Sequence, residues 1–197
     1  MVAYFERIWS GLPEFTPEHF ERRRDFLIGA LEPGARVLDV GCGAGWFAAA
    51  LAEAGFAVAG VEVAHEPLRR ARQRAPGVQF VVAGDGTLPF ATGSFSAAWL
   101  GEVLEHVQDG LGLLEEVARV LVPAGTLVVS TPGHGPWLRL ALGISRRRFE
   151  RHFEPRSDHV RFFTRRTLEL LLRAGGFEQI RIRARGGVLL ATARAPG

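Results

Sequence analysis

Residues Val37–Phe47 read VLDVGCGAGWF, and this short stretch carries the strongest structural signal in the sequence. An apolar run that contains one aspartate leads into three alternating glycines, and an alanine-rich segment follows. Glycine allows positive φ and places no side chain between the backbone and a ligand. The free amides at the start of a following helix attract an anion or a carboxylate. The stretch therefore predicts a buried strand, a ligand-binding turn and a helix, in that order.

Strand and helix patterns alternate along the rest of the chain. Strands are predicted at 36–40, 56–63, 78–84, 95–100, 126–132, 178–185 and 188–195, and helices at 16–31, 45–55, 65–75, 109–122 and 164–177. This alternation favours a parallel sheet with helices on both faces. Only Gly186 and Gly187 separate the last two strands, so one of these strands runs antiparallel to the others. We predict an α/β fold with a Rossmann-like, doubly wound sheet of seven strands. The sheet is mostly parallel with one antiparallel strand near the C-terminus, in a single domain over residues 1–197.

Composition sets the broad class of protein. The chain has 197 residues, of which 47% are apolar, so it can bury a core and is not disordered. No apolar stretch is long enough to cross a bilayer, and the N-terminus lacks the pattern of a signal peptide. Cys42 is the single cysteine, so we expect a cytoplasmic protein without disulfides. Its place near a helix N-terminus favours a lowered thiol pKa, but we interpret it as a small packed residue.

Acidic residues lie at the ends of the first three predicted strands. Asp39 lies beside the glycine turn, Glu62 is placed to accept hydrogen bonds from ribose hydroxyls, and Asp85 is placed to accept one from an adenine amino group. The glycine spacing is G-x-G-x-G, whereas a dinucleotide site has G-x-G-x-x-G/A. Trp46 stands at the sixth position, where it is too bulky for close packing. The pattern indicates a nucleoside pocket without a polyphosphate.

The chain resembles class I S-adenosylmethionine-dependent methyltransferases, most closely the small-molecule type that includes ubiquinone and menaquinone biosynthesis enzymes. The resemblance rests on VLDVGCGAG, GVEV, GDGTLPF, LGEVLEHV and ARVLVPAGTLVVSTP, and covers about residues 35–180. It implies S-adenosylmethionine as cofactor, S-adenosylhomocysteine as product and a small-molecule acceptor. The turn would hold the methionine part, Glu62 the ribose, and Asp85 with Gly86 the adenine, while Leu100 and Gly101 would lie beside the sulfonium. The cofactor-binding residues implied are Asp39, Gly41, Cys42, Gly43, Gly45, Glu62, Val63, Asp85, Gly86, Thr87, Leu100 and Gly101.

Two departures from the family pattern occur outside the pocket. Phe95-Ser96 replaces the usual Phe-Asp at the start of the fourth strand, and Pro123-Ala124-Gly125 replaces Pro-Gly-Gly before the fifth. Neither change removes a cofactor contact.

The acceptor side offers histidines and carboxylates. Methyl transfer depends mainly on alignment, and it needs a base only when the nucleophile arrives protonated. His106 and His134 are the candidate bases, although the sequence favours the interpretation of His134 as a loop histidine. Glu102, Glu105 and His106 share a helical face, and with His159 they form a candidate divalent-metal site, as in metal-dependent ubiquinone-pathway O-methyltransferases and small-RNA 2′-O-methyltransferases. The alternative is that the helix dipole favours these acids and that His106 is packed. We predict that no metal is needed, and we place Glu102 and His159 on the substrate side.

Positive charge is concentrated in one segment. All 24 basic residues are arginine, and the segment from Arg139 to Arg173 carries a net charge of +6. Residues 132–164 are predicted to form a substrate-side insertion in which one or two arginines, with Arg146 and Arg147 as the first candidates, bind an anionic group of the acceptor. Further candidates for this role are Arg148, Arg151 and Arg161. Most of the other arginines are expected to form a solvated, charged surface.

Residues 1–33 are predicted to form a helical lid. Its aromatic residues Tyr4, Phe5 and Trp9 either close over the pocket or pack as ordinary apolar side chains.

Two alternative functions remain open. An RNA methyltransferase would use the arginines on phosphates, but the chain has no separate nucleic-acid domain and a net charge of only +3. LGEV also stands where many base N-methyltransferases carry Asn/Asp-Pro-Pro-aromatic, which argues against nucleic acid. The other alternative is a regulatory module that binds the cofactor without turnover.

Overall fold

The computed structural model describes residues 2–84, 86–135, 138, 143–147, 150 and 159–197. Within these residues, seven strands form one sheet. The strands are β1 Arg36–Val40, β2 Ala57–Glu62, β3 Gln79–Val82, β4 Phe95–Gly101, β5 Leu121–Pro132, β6 Glu178–Arg185 and β7 Val188–Arg194. The helices are α1 Val2–Gly11, α2 Phe20–Ile28, α3 Trp46–Glu53, α4 His65–Arg74, α5 Gly110–Val120 and α6 Arg165–Ala174. The predicted site residue Asp85 and the arginines Arg148 and Arg151 lie outside the described residues.

The strand order confirms the predicted doubly wound sheet. The order is β3-β2-β1-β4-β5-β7-β6. Only β7 runs antiparallel to its neighbours, β5 and β6. It reverses because Gly186 and Gly187 both have positive φ, 58° and 82°, which suits a two-residue hairpin. The order changes direction between β1 and β4, and the carboxyl ends of these two strands border the crevice where such sheets bind ligands.

The sheet is buried on both faces, which explains its nearly continuous apolar strands. Successive side chains of a strand point to opposite faces. Leu38, Leu100 and Val129 therefore pack with α5 and α6. Their neighbours in sequence, Val37, Trp99 and Val128, pack on the other face with residues of α2 and α3.

The predicted element boundaries differ most from the structure at the start of α2 and at the start of β5. The helix predicted to start at Thr16–Pro17 begins at Phe20, after His19 in the left-handed region. The residues before it are held against α4 instead, because Arg70 donates hydrogen bonds to the carbonyls of Trp9 and Leu12 at 3.0 and 2.9 Å.

At the other boundary, α5 ends at Val120, and β5 starts at Leu121 rather than at Thr126. Leu121 pairs with Phe95 across an irregularity in the β4–β5 ladder. Ala124, between the two paired parts of β5, has a φ of 57°.

Among the described helices, none has the length and apolar character that crossing a bilayer requires.

Candidate functional site

The glycine turn after β1 has the predicted conformation. Gly41, Gly43 and Gly45 have φ of 66°, 50° and 77°. A Cβ atom at Gly41 would lie 2.6 Å from a methyl group of Val103, and one at Gly45 would lie 2.8 Å from the Cβ of Ala71. The turn therefore excludes side chains both through its backbone angles and through its neighbours.

Glu62 closes the turn from the end of β2. Its Oε2 accepts a hydrogen bond from the Gly43 amide at 3.1 Å, and its Oε1 accepts one from the Val63 amide at 2.7 Å. The side chain is buried, and burial raises the pKa of Glu62, while these backbone amides act in the opposite direction. The carboxylate thus ties two strand ends together where a ligand would lie.

Asp39 is the most deeply buried acid beside the turn. Its exposed fraction is 2%, and its Oδ2 atom has no hydrogen-bond partner in the described part of the chain. Burial, with the negative charge of Glu62, raises the pKa of Asp39 to about 8. Its carboxyl group therefore keeps its proton at neutral pH unless a cationic group comes close.

Cys42 does not have the lowered pKa that its place near a helix suggests. The thiol is buried, and burial together with the charges of Asp39 and Glu62 raises its pKa well above the usual value. Its interpretation as a small packed residue fits this environment, because its sulfur lies 3.0 Å from where a Cβ of Gly60 would stand.

The end of β4 turns sharply beside the glycine turn. Leu100 is fully buried, and Glu102 has a φ of 60°, which is rare for a residue with a side chain. The Glu102 amide donates to the Ser130 carbonyl at 2.9 Å, and the Ser130 hydroxyl donates to Glu102 Oε1 at 2.9 Å. This pair of contacts with β5 fixes the strained residue in place.

Arg23 supports this turn and was not identified from the sequence. It projects from α2, is 3% exposed, and donates through Nε to the Ser130 hydroxyl at 3.0 Å. Its guanidinium lies 3.8 Å from Glu102 Oε1 and 4.8 Å from the centre of the Phe47 ring. Arg23 is one of three consecutive arginines in a polar helix segment, so no sequence signal separates it from its two less buried neighbours.

A carboxylate and two imidazoles converge after β4. Ligand atoms of Glu105, His106 and His159 lie within 4.8 Å of one another. Glu105 is 1% exposed and accepts a hydrogen bond from the Thr131 hydroxyl at 3.0 Å. Its other oxygen has no hydrogen-bond partner among the described residues, so this donor set would fit a divalent cation. Burial and the nearby Glu102 raise the pKa of Glu105 to about 8.

His134 lies where β5 ends and is 7% exposed. Its amide donates to the Phe163 carbonyl at 2.8 Å, and its ring lies edge-on to Phe162 at 5.1 Å. It is therefore part of an ordered, buried wall rather than a solvent-exposed loop.

The first helix lies over the glycine turn. A Cβ at Gly43 would stand 3.1 Å from the ring of Trp9. Glu6 accepts a hydrogen bond from the His65 amide at 2.8 Å, which joins α1 to the start of α4.

Comparison with known proteins identifies the family. A sequence profile described as a methyltransferase domain matches residues 12–182. The chain belongs to the methyltransferase family. It is a class I, S-adenosylmethionine-dependent methyltransferase, as the motifs implied.

This methyltransferase is similar to known proteins in sequence and in structure. The chain is 36% identical over 166 residues to a ubiquinone biosynthesis O-methyltransferase from Xanthomonas campestris, and the match covers 80% of this chain and 69% of that protein. It is similar to a Methanosarcina mazei structure described as a SAM-dependent methyltransferase, with a TM-score of 0.70, 24% identity, and coverage of 86% and 96%. It also resembles Haemonchus contortus phosphoethanolamine N-methyltransferase 2, solved with S-adenosyl-L-methionine, with a TM-score of 0.72, 16% identity, and coverage of 98% and 56%.

The structure of the methyltransferase brings most of the predicted site residues to one edge of the sheet. The turn, Glu62, Val63, Leu100 and Gly101 surround the crevice between β1, β2 and β4. Gly86 and Thr87, beyond the end of β3, are exposed.

The arginines predicted to bind an anion do not come together in one site among the described residues. Arg146 is 91% exposed at its side chain and pairs with Glu150, Arg147 is exposed, and Arg161 donates to the Gln108 carbonyl.

Proposed function

We propose that the protein transfers a methyl group from S-adenosylmethionine to a hydroxyl oxygen of a small molecule, with S-adenosylhomocysteine as the product. The observation that carries this proposal is the glycine turn closed by Glu62, a backbone cradle with a carboxylate at its rim. Likeness to a ubiquinone biosynthesis O-methyltransferase supports oxygen as the acceptor atom.

The residues of the crevice fit the cofactor. The turn leaves no room for side chains of its own, and the Asp39 carboxyl group would gain a partner from the ammonium group of the methionine part. Glu62 would bind the ribose, and Asp85, Gly86 and Thr87 the adenine. When bound, the cofactor supplies an electrophilic methyl group on a sulfonium.

The acceptor side supplies a base. A hydroxyl group must lose its proton as its oxygen takes the methyl group. His106 follows β4, whose end borders the crevice, and His134 follows the neighbouring strand β5. We propose that one of them accepts this proton, with Glu102 and His159 contacting the acceptor.

We also propose that the acceptor carries an anionic group. The net charge of +6 between Arg139 and Arg173 supports this, because the segment follows the ligand-binding end of β5. Arginine's planar guanidinium suits a carboxylate or a phosphate.

Labelled methyl transfer tests the proposal. The protein is incubated with S-adenosylmethionine carrying an isotopic methyl group and with a metabolite extract of its host, and products are detected by mass. A small molecule that gains the label on oxygen supports the proposal, and Glu62→Gln provides a control with a weakened cofactor site. Label found only in added RNA would indicate the RNA alternative, whereas cofactor binding without any labelled product would indicate the regulatory module.

A further inference from the structure

A cavity of about 720 Å³ lies beside the end of β5. Gly133 to Gly135, the start of α6 and the β6–β7 hairpin enclose it. Its volume is in the range of small-molecule sites. Hydrogen bonds hold its walls together, since the Gly133 amide donates to the Gly187 carbonyl at 2.7 Å and the His134 amide to the Phe163 carbonyl at 2.8 Å.

Three arginines line this cavity, and no acid is among its described lining residues. They are Arg165 and Arg166 from α6 and Arg185 from β6. Within the described part of the chain, none of their guanidinium groups forms an ion pair or a hydrogen bond. Buried Val188 and Leu189 supply an apolar wall. The cavity therefore combines a cationic rim with an apolar surface.

The stability of the fold does not account for this arrangement. Arg165 and Arg166 occupy the first turn of α6, which has no acidic residue, and so they face the positive end of the helix dipole. Arg185 adds a third charge of the same sign from another element. Such repulsion would be relieved by a bound anion.

The cavity opens at the same edge of the sheet as the cofactor crevice. Pro132, at the end of β5, pairs with Val188 at the start of β7, and β4 is the other neighbour of β5. Adjacent strands lie about 4.8 Å apart, so the strands that line the cavity, β5, β7 and β6, lie roughly 5–15 Å from the end of β4. An acceptor whose anionic group is separated from its hydroxyl group by a ring and a short chain can span this distance.

We propose that this cavity binds the anionic end of the acceptor, a carboxylate or a phosphate on an apolar body, through Arg165, Arg166 and Arg185. The inference rests on the proposed function, because it assigns the anion to the methyl acceptor. The anion is thus assigned to arginines that line a cavity, and not to Arg146 and Arg147, which the sequence favoured.

Calorimetric titration with simple amphiphilic anions tests the cavity directly. The probes are hexyl phosphate and hexanoate, with 1-hexanol as the uncharged comparator, and the titrations use the full-length protein. We expect both anions to bind at least ten times more tightly than hexanol. Replacing all three arginines by alanine should weaken anion binding at least tenfold, and the tighter of the two anions identifies which group the cavity prefers.

Arg181→Ala is the matched control. Arg181 is exposed on β6, the strand that also carries Arg185, but it lines a separate groove at the amino end of β5. It should change the anion affinity less than twofold. The proposal is overturned if hexyl phosphate and hexanoate both fail to bind the wild-type protein, or if the triple variant binds them as well as the wild type does. It is also overturned if Arg181→Ala weakens binding as much as the triple variant.

Binding of S-adenosylhomocysteine is measured on the same samples. This measurement distinguishes failure of the anion-binding proposal from failure of the proposed function. We expect it to be unchanged in the triple variant, which also shows that the variant is folded. If the wild-type protein does not bind the cofactor product at all, the proposed function fails, whatever the anions do.

Discussion

The carboxylate of Glu62, at the end of β2, accepts a hydrogen bond from the amide of Gly43, in the turn after β1, at 3.1 Å. Glu62 is 19 residues further along the chain, so this contact joins two parts of the chain that meet only in the folded sheet. The same side chain is largely buried, with 8% of the surface of Glu62 accessible. One side chain thus shapes the turn and, in the proposed function, also binds the ribose of the cofactor.

Replacement of Glu62 by glutamine should weaken cofactor binding at least tenfold. The variant keeps the shape of the side chain but loses the charge that strengthens its hydrogen bonds, and tenfold corresponds to about 1.4 kcal/mol. Calorimetry with S-adenosylhomocysteine measures the change. Glu53→Gln, at an exposed site of α3, is the control and should bind like the wild type. Equal affinities for all three proteins would remove Glu62 from the site.

Arg23→Ala should destabilise the fold by about 2–3 kcal/mol, because it removes the cation that contacts the Ser130–Glu102 pair and opens a gap beside Phe47. Urea unfolding followed by circular dichroism measures this loss. Arg24→Ala changes a partly exposed arginine on the same helix, and its unfolding midpoint should match the wild type. If the two variants unfold alike, Arg23 does not have the supporting role described above.

Asp39 should make stability depend on pH. Its pKa in the folded protein is about 8, above the ordinary value of 3.8, so the folded state holds a proton that the unfolded state has lost. The contribution of Asp39 to the free energy of unfolding is therefore greatest below about pH 4 and falls as the pH rises towards 8. In Asp39→Asn this pH-dependent fall in stability is absent.

The measurement is urea unfolding of both proteins, without ligand, at pH 5 and pH 8. The stability of Asp39→Asn relative to the wild type should increase between these values by more than about 1.4 kcal/mol, the equivalent of one pKa unit. A difference that stays constant would show that Asp39 ionises normally in the folded protein.

Most of the fold could be predicted from local patterns. The glycine turn, the seven strands and the antiparallel strand follow from apolar periodicity and from Gly186–Gly187, which act within a few residues. Helix ends were less predictable, because Leu121 joins β5 through pairing with distant Phe95. Ala124 adopts a positive φ in the place of a usual glycine, which residue preference alone does not suggest.

The site was predictable only where a motif marked it. Arg23 and the cavity of Arg165, Arg166 and Arg185 depend on contacts between elements far apart in sequence. No spacing rule distinguishes these arginines from the others in the chain.

Chelation distinguishes the two interpretations of Glu105, His106 and His159. We predict that methyl transfer survives EDTA, because transfer from a sulfonium depends on alignment rather than on a Lewis acid. Turnover is measured before and after dialysis against EDTA. Loss of turnover that magnesium or manganese restores would contradict the prediction and assign these three residues as metal ligands, with Glu102 beside them.

In the proposed function, the glycine turn and Glu62 form a binding site for S-adenosylmethionine. Calorimetric titration of the wild-type protein with S-adenosylmethionine, and separately with NAD, measures whether they do. We expect saturable binding of S-adenosylmethionine and none of NAD, because Trp46 stands where a dinucleotide site needs a small residue. Binding of NAD without binding of S-adenosylmethionine would contradict this expectation.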